Sequence, residues 1–279
     1  MTIDIAVISQ FRPKFLEKCL KSIAKQTRIP DSVILVLSSK DKKSMALLEK
    51  FENLPIKVFY YDKRGYAFLR NIALKAGKSD FLYFVDDDCI LDKEAVEQAL
   101  GFFTKNPNFS AVQGKTKNID TSFYSQFASW TNELWLQRAY DQKKKLLKVI
   151  DTKNVCLRIK AVDNLKFNEC LGSEDVDFGL QISRRGGKIG WETKIKALHY
   201  EQANTFLSYF LKRLRMFNGL KIVKKKWGNL PIFYEDNKTF NQKITAFFNK
   251  SNYSHSYKYK LVLKLFLYLR NIKYLLDVN

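Results

Sequence analysis

The sequence predicts an α/β fold, with a largely parallel central sheet flanked by helices and a basic helical region after it. Three observations predict this. Short apolar strands alternate with helices of ten or so residues over the first 200 positions, the pattern of βαβ units around a buried parallel sheet. Acidic residues gather directly behind the fourth strand, at the strand ends where such sheets bind ligands. Beyond residue 204 apolar and basic residues interleave at helical spacing, which marks a basic amphipathic helix.

The elements follow in order. Ile3–Ile8 is an apolar strand, and Pro13–Lys25 carries Phe15, Leu16, Cys19, Leu20 and Ile23 at helical spacing. Val33–Leu37 is a second strand, Ser44–Phe51 a second helix and Ile56–Tyr60 a third strand. Tyr66–Ala76 is a third helix closed by Gly77, a residue suited to the end of a helix. Phe81–Val85 is the fourth strand, and a helix begins near Asp92. Further on, 175–185 reads as a helix ending at Gly186-Gly187, and Lys194–Leu198 as a strand.

Composition narrows the function classes. The 279 residues are 46% hydrophobic, enough to bury a core and to exclude global disorder. With 11 glycines, 5 prolines and no short repeat, collagen-like, coiled-coil and low-complexity readings fail. Four cysteines without a CxxC pair, and two histidines, build no zinc cluster. Scattered thiols fit a reducing compartment. The N-terminus reads as a strand rather than a signal peptide, and no apolar run reaches the ~20 residues that span a bilayer. The expectation is therefore a cytoplasmic protein.

Charge is uneven. Lys and Arg number 49 against 28 Asp and Glu, a net +21. Residues 201–279 hold 15 Lys and Arg against four Asp and Glu, and so carry +11 of that excess. In 205–226, Phe206, Phe210, Leu214, Phe217 and Leu220 follow a 3.6-residue period beside seven basic residues. Segment 257–276 repeats the pattern. Three readings compete for this region: a helical cap packed on the core, a dock on an anionic membrane surface, and nucleic-acid binding. No nucleic-acid-binding motif accompanies the charge, and no nucleic acid is expected as a partner.

Asp86, Asp87 and Asp88 follow Phe-Leu-Tyr-Phe-Val directly. Three adjacent carboxylates repel one another and present hard oxygens, a site for Mn²⁺ or Mg²⁺ and the phosphates it bridges. A helix-capping turn needs only one acid. A second acidic cluster, Glu174, Asp175 and Asp177, opens the helix at 175–185. Capping and general-base roles both suit it. His199 follows a strand, in position to be a third metal ligand.

In order and spacing these segments resemble glycosyltransferase family 2, the inverting enzymes of GT-A fold. The resemblance covers about residues 1–205 and rests on several pieces. These are the first strand and helix, Arg64-Gly65-Tyr66-Ala67-Phe68-Leu69-Arg70-Asn71, Val85-Asp86-Asp87-Asp88 as the DxD motif, and Lys153-Asn154-Val155-Cys156-Leu157-Arg158. Gly172-Ser173-Glu174-Asp175-Val176-Asp177 stands as the ED motif, and Ala197-Leu198-His199 as the strand ending in a metal-ligand histidine. Two departures stand out. Where the family often carries an Asp after the second strand, this chain reads Ser38-Ser39-Lys40-Asp41. Where a Gly usually precedes Asn154, it reads Thr152-Lys153.

The resemblance implies a GT-A catalytic domain over 1–203 and a basic helical region over 204–279. It implies Asp88, Asp86 and His199 as metal ligands, with Ser9, Gln10, Ser38, Arg70, Asp86 and Asp87 on the nucleotide-sugar. It implies Asp175 as general base, and Glu174, Asn154 and Trp191 on the acceptor side. The activity implied is metal-dependent, inverting transfer from a nucleotide-sugar, most often UDP-linked, to a glycan or lipid-linked acceptor in surface-polysaccharide synthesis. With it the basic segments 205–226 and 257–276 read as docks on the inner face of the cell membrane. Two rivals compete. A sugar-nucleotide nucleotidyltransferase needs a glycine-rich phosphate loop, and Ser9-Gln10-Phe11-Arg12-Pro13 has no glycine. A non-catalytic membrane or nucleic-acid adaptor has no use for the acidic clusters.

Overall fold

The structure, a computed structural model, describes residues 1–62, 65–169, 172–201 and 205–228, with Gln242. The chain runs β1 (Ile3–Ser9), α1 (Pro13–Ala24), β2 (Ser32–Ser38), α2 (Lys42–Leu47), a 3₁₀ turn (Leu48–Phe51), β3 (Ile56–Tyr61) and α3 (Tyr66–Ala76). It continues with β4 (Phe81–Asp86), β5 (Cys89–Leu91), α4 (Ala95–Lys105), β6 (Ala111–Asn118), α5 (Phe123–Ala139), β7 (Tyr140–Asp141), β8 (Leu146–Leu147) and β9 (Asn154–Arg158). The described part closes with α6 (Ile159–Val162), α7 (Glu174–Arg184), β10 (Ile189–His199) and α8 (Phe206–Trp227).

Among the described residues one sheet forms, in the order β3-β2-β1-β4-β9-β6-β10-β8-β7, with β5 paired to β10. β3, β2, β1 and β4 are mutually parallel, as the βαβ reading requires. β9 breaks the run, lying antiparallel between β4 and β6.

Alternation along the central strands feeds two cores. Ala6, Ile8, Ile34, Val36, Leu82 and Phe84 face one layer. Ile5, Val7, Val33, Leu35, Tyr83 and Val85 face the other, against Leu16, Leu20 and Ile23 of α1. Strands buried on both faces read as continuous apolar runs for this reason. α1 starts on Pro13, whose missing N–H is no loss in the first turn. α2 is capped by Asp41, which accepts the Ser44 N–H at 3.1 Å.

α8 packs back onto the sheet domain. Its Tyr209, Leu220 and Val223 are buried, and Lys212 pairs with Glu201, 2.7 Å, just beyond β10. The expected boundary at 203/204 falls between these partners. The segment 257–276, Cys170 and His255 lie outside the described residues. No described helix is long and apolar enough to cross a membrane. Cys19, Cys89 and Cys156 are buried free thiols.

Candidate active site

The site is built at the carboxyl ends of β1 and β4. Parallel register sets Ile8 beside Asp86, so the chain leaves β4 into the acidic turn with its backbone held. β5 then pairs antiparallel with β10 and places Cys89 opposite His199. That register carries His199 to Asp88 across more than a hundred residues of chain: Nε2 stands 3.5 Å from Asp88 Oδ1. The Asn118 amide donates to the Ser125 carbonyl, 2.8 Å, which turns Asn118 Oδ1 toward His199 Nδ1 at 2.9 Å. Nδ1 therefore carries the proton, and the Nε2 lone pair points at a carboxylate oxygen. Metal-ligating histidines are oriented in this way. Burial lowers the His199 pKa, and Lys153 adds to that; both favour the neutral ring, the form that binds metal.

The three adjacent aspartates separate in role. Asp87 is fully buried and turned inward. It accepts the Ser9 hydroxyl at 2.6 Å and the Arg12 Nε at 3.1 Å, and pairs with Arg12 Nη2 as well. Burial pushes its carboxyl up, to about 7, against the pull of Arg12 and Ser9. Arg12 also donates to Asp88 Oδ2 at 2.9 Å. Ser9 and Asp87, expected on the nucleotide-sugar, spend these groups on each other and on Arg12.

Arg70 spans the cleft. From α3 its Nη2 reaches Asp86 Oδ1 at 3.2 Å, and its Nη1 pairs with Glu174. Against the lowering effect of burial, those two carboxylates raise its pKa. Glu174 is thereby a structural tie as well as part of the cleft lining. Asp175 stands next to it in the first turn of α7 and accepts the Val176 N–H at 2.8 Å. Burial pushes Asp175 up to about 7, and Glu174 and Asp151 reinforce it, while Arg70 and Lys153 oppose. That places its proton affinity where a general base at neutral pH works best.

Asp86, Asp88, Arg70, Glu174, Asp175 and His199 line one open cleft of about 710 Å³. The other expected residues lie elsewhere. Ser38, half-buried at the tip of β2, accepts the Lys40 N–H at 3.3 Å, and neither it nor Gln10 is among the cleft lining. Asn154, expected on the acceptor side, is fully buried. It accepts the Tyr83 hydroxyl at 2.6 Å and donates to the Lys115 and Ile195 carbonyls. Its groups brace neighbouring strands, because β9 is interior. Trp191 is likewise set back from the cleft. It meets Tyr140 edge-on at 5.6 Å and borders a small void of about 20 Å³ that shares Asn132, Asp151 and Lys153 with the cleft wall. Of the aromatic stretch 123–140, Trp135 reaches the cleft.

Four cleft residues escaped the sequence reading. Arg12 sits in the short loop Ser9–Pro13, where nothing local marks it out from the chain's other basic residues. Asp151 and Lys153 pair at 2.5 Å on the cleft wall, in the segment where the family pattern is broken. Glu201, buried beside His199, takes Lys212. One signal was present: Asp151 and Lys153 stand as an acid and a base two residues apart, directly before β9.

The lining shows whether a cation fits. Arg12, Arg70, Lys153 and Lys212 face six carboxylates, those of Asp86, Asp88, Asp151, Glu174, Asp175 and Glu201. Carboxylate oxygens and an imidazole nitrogen on one wall are donors that a hard divalent ion accepts. Among the described residues no three His, Cys, Asp or Glu ligands are already gathered into a metal cage. Asp88 and His199, with Asp86 on the same wall, are the fitting donors.

The model of glycosyl transferase family 2 matches residues 4–165 of this chain. The chain belongs to that family. Within the family, the poly(ribitol-phosphate) β-N-acetylglucosaminyltransferase TarS of Staphylococcus aureus is 28% identical over 111 residues, 38% of this chain and 19% of TarS. An uncharacterised glycosyltransferase of Haemophilus influenzae is 28% identical over 116 residues, 41% of this chain and 39% of that one. The matches thus span about a fifth and two fifths of those relatives. Among solved structures, the mannosyltransferase PcManGT of Pyrobaculum calidifontis, in complex with GDP-Man and Mn²⁺, superposes with a TM-score of 0.63 at 14% identity, covering 99% of this chain and 88% of that one. S. aureus TarS 1–349 with UDP gives 0.57 at 17% identity, over 93% and 75%. These likenesses establish the GT-A fold of this family 2 chain.

Proposed function

We propose that this family 2 protein is a metal-dependent, inverting glycosyltransferase. It moves a sugar from a nucleotide-sugar, UDP-linked, to a hydroxyl of a glycan or lipid-linked acceptor in surface-polysaccharide synthesis. One observation carries the reading: the buried base Asp175 shares a single cleft with the Asp86, Asp88 and His199 wall.

The donor diphosphate belongs beside Asp86 and Asp88, at the carboxyl ends of the strands. Asp88, His199 and Asp86 are the residues that would hold Mn²⁺ or Mg²⁺, whose charge stabilises the leaving nucleoside diphosphate. Arg70 keeps Asp86 and Glu174 in fixed relation, so donor wall and base wall cannot drift apart. Asp175 takes the proton of the acceptor hydroxyl. The acceptor oxygen forms its bond to the anomeric carbon as the bond to the diphosphate oxygen breaks, and the electron pair leaves with the diphosphate. A single displacement inverts configuration and requires one base. TarS and PcManGT, solved with UDP and with GDP-Man and Mn²⁺, are consistent with a nucleotide-sugar and a divalent ion.

Phe11 adds a donor-side surface. It is exposed, carries a left-handed backbone (φ 56°), and is pinned there by donating its N–H to Asp41 at 2.7 Å. A bulky residue held in that region is costly, and here it presents a ring next to Arg12. A nucleobase stacks well on such a ring.

The membrane reading rests on α8. Leu207, Leu211 and Ile222 are exposed large apolar residues, and they lie within a third of a turn of one another on the helix, with Lys221 and Lys225 beside them. Leu211 and Lys212 also line the cleft, so a lipid surface on this face would bring a lipid-linked acceptor to the mouth.

Melting temperature is measured with UDP, GDP and CMP, each with and without Mn²⁺. The expected outcome is a shift with UDP that requires Mn²⁺. A shift with GDP or CMP alone moves the donor class, and no shift with any nucleotide overturns the reading.

A further inference from the structure

We propose that α8 holds the base-bearing turn in place, through a buried cluster around Asp177 and a close backbone contact at Gly219. The inference rests on the reading of Asp175 as base.

The Asp177 carboxylate is fully buried in the first turn of α7, two residues after Asp175. It accepts Lys226 Nζ at 2.7 and 3.0 Å and Trp227 Nε1 at 2.6 Å, both from the end of α8, and Gln181 Nε2 at 2.9 Å from its own helix. A buried carboxylate with this many donors is satisfied, and one stripped of its partner is strongly destabilised. The Trp227 carbonyl accepts Arg184 Nη2 at 3.2 Å, so the same end of α8 grips the far end of α7 too.

The second contact lies one helical stretch earlier. A Cβ at Gly219 would collide with the Gly172 carbonyl, and the Ser173 amide stands behind it. Ser173 Oγ reaches the Met216 carbonyl at 3.3 Å. Gly172 and Ser173 lead directly into Glu174 and Asp175. α8 therefore abuts the turn just ahead of the base and grips the helix just behind it. Ser173 offers no side-chain cap to α7; its hydroxyl reaches α8 instead, so α8 adds order to this turn that a cap would otherwise supply. At its other end α8 is fixed independently, by Tyr209 against Phe127 of α5 and by Lys212 on Glu201. Misplacing a catalytic group by about 1 Å costs on the order of 10² in rate, so an element that fixes this turn bears on turnover without touching substrate. Asp177 and Gly219 are positioning residues.

Amide hydrogen exchange of the full chain is the test, comparing wild type with Lys226→Met, Lys226→Arg and Gly219→Ala. Expected is at least about tenfold faster exchange over 172–178 in Lys226→Met and Gly219→Ala, with 3–9 and 81–86 unchanged. Lys226→Arg, which restores a cation to Asp177, exchanges as wild type does. The UDP and Mn²⁺ melting shift persists in Lys226→Met, because the donor wall is untouched. Unaltered exchange over 172–178 in both variants, or acceleration spread evenly over the sheet, overturns the proposal. Normal turnover of Asp175→Asn instead removes the base assignment and leaves the exchange result standing, so the two failures are separable.

Discussion

Asp175 is held in the neutral form further up the pH scale than an ordinary aspartate, chiefly by burial, with a pKa of about 7. A general base works ionised. Transfer is therefore expected to fall about tenfold per pH unit below 7 and to level above it, which a kcat-against-pH profile checks. Stability runs the other way. A folded-state pKa raised above the unfolded value of 3.8 means the folded chain binds that proton more tightly. Its contribution is present below about pH 4 and is lost as pH rises through 7. Asp175→Asn, which cannot ionise, is expected to melt above the wild type at pH 8 and near it at pH 4, while turnover drops by about 10²–10⁴. Nucleotide binding should survive that change. Asp88→Ala is the complement: Mn²⁺-dependent nucleotide binding disappears, as calorimetry would show, and equal binding in the variant removes Asp88 from the ligand set. Phe11→Ala is expected to weaken nucleotide affinity by about 1–3 kcal/mol if a base stacks there.

Elements assign those residues their neighbours. The β4 strand, its acidic turn and the α7 acids were legible because each is a local pattern: an apolar run, then carboxylates. The separation of Asp87 from Asp86 and Asp88 was not legible. Three adjacent acids look alike in sequence, and only the inward turn of Asp87 onto the Ser9 hydroxyl, with two bonds from Arg12, tells it apart. The burial of Asn154 was not legible for a similar reason. Its position in the chain matches an acceptor-side motif, yet β9 runs antiparallel between two strands and buries it. In α8, the periodicity predicts an apolar stripe beside a basic face. Among its described side chains, Tyr209, Leu220 and Val223 are buried, while Leu207, Leu211 and Ile222 are exposed near lysines. Cosedimentation with anionic vesicles at low salt tests that exposed face. Binding is expected, and Lys221→Glu with Lys225→Glu should cut it by about 1 kcal/mol or more per lysine. Absence of wild-type binding overturns the dock.

At the scale of the molecule, a parallel half-sheet and a mixed half-sheet meet at β4 and β9, and the cleft opens where their ends converge. A ligand that binds only the folded chain at 100 times its Kd adds about 2.7 kcal/mol. For a chain of this size that is a rise of roughly 5 °C in melting temperature. The UDP and Mn²⁺ measurement reads that rise directly. The sequence by itself determined the α/β class, the order of strands and helices up to β4, the two acidic clusters and the family, since all of these are short-range patterns or ordered spacings. The tertiary structure decided that Asp87 turns inward while Asp86 and Asp88 line the cleft, that Arg70 ties the two walls, and that α8 lines one side of the site. Those are contacts between residues tens to more than a hundred positions apart, set by strand register and helix packing, and no local pattern in the chain encodes them.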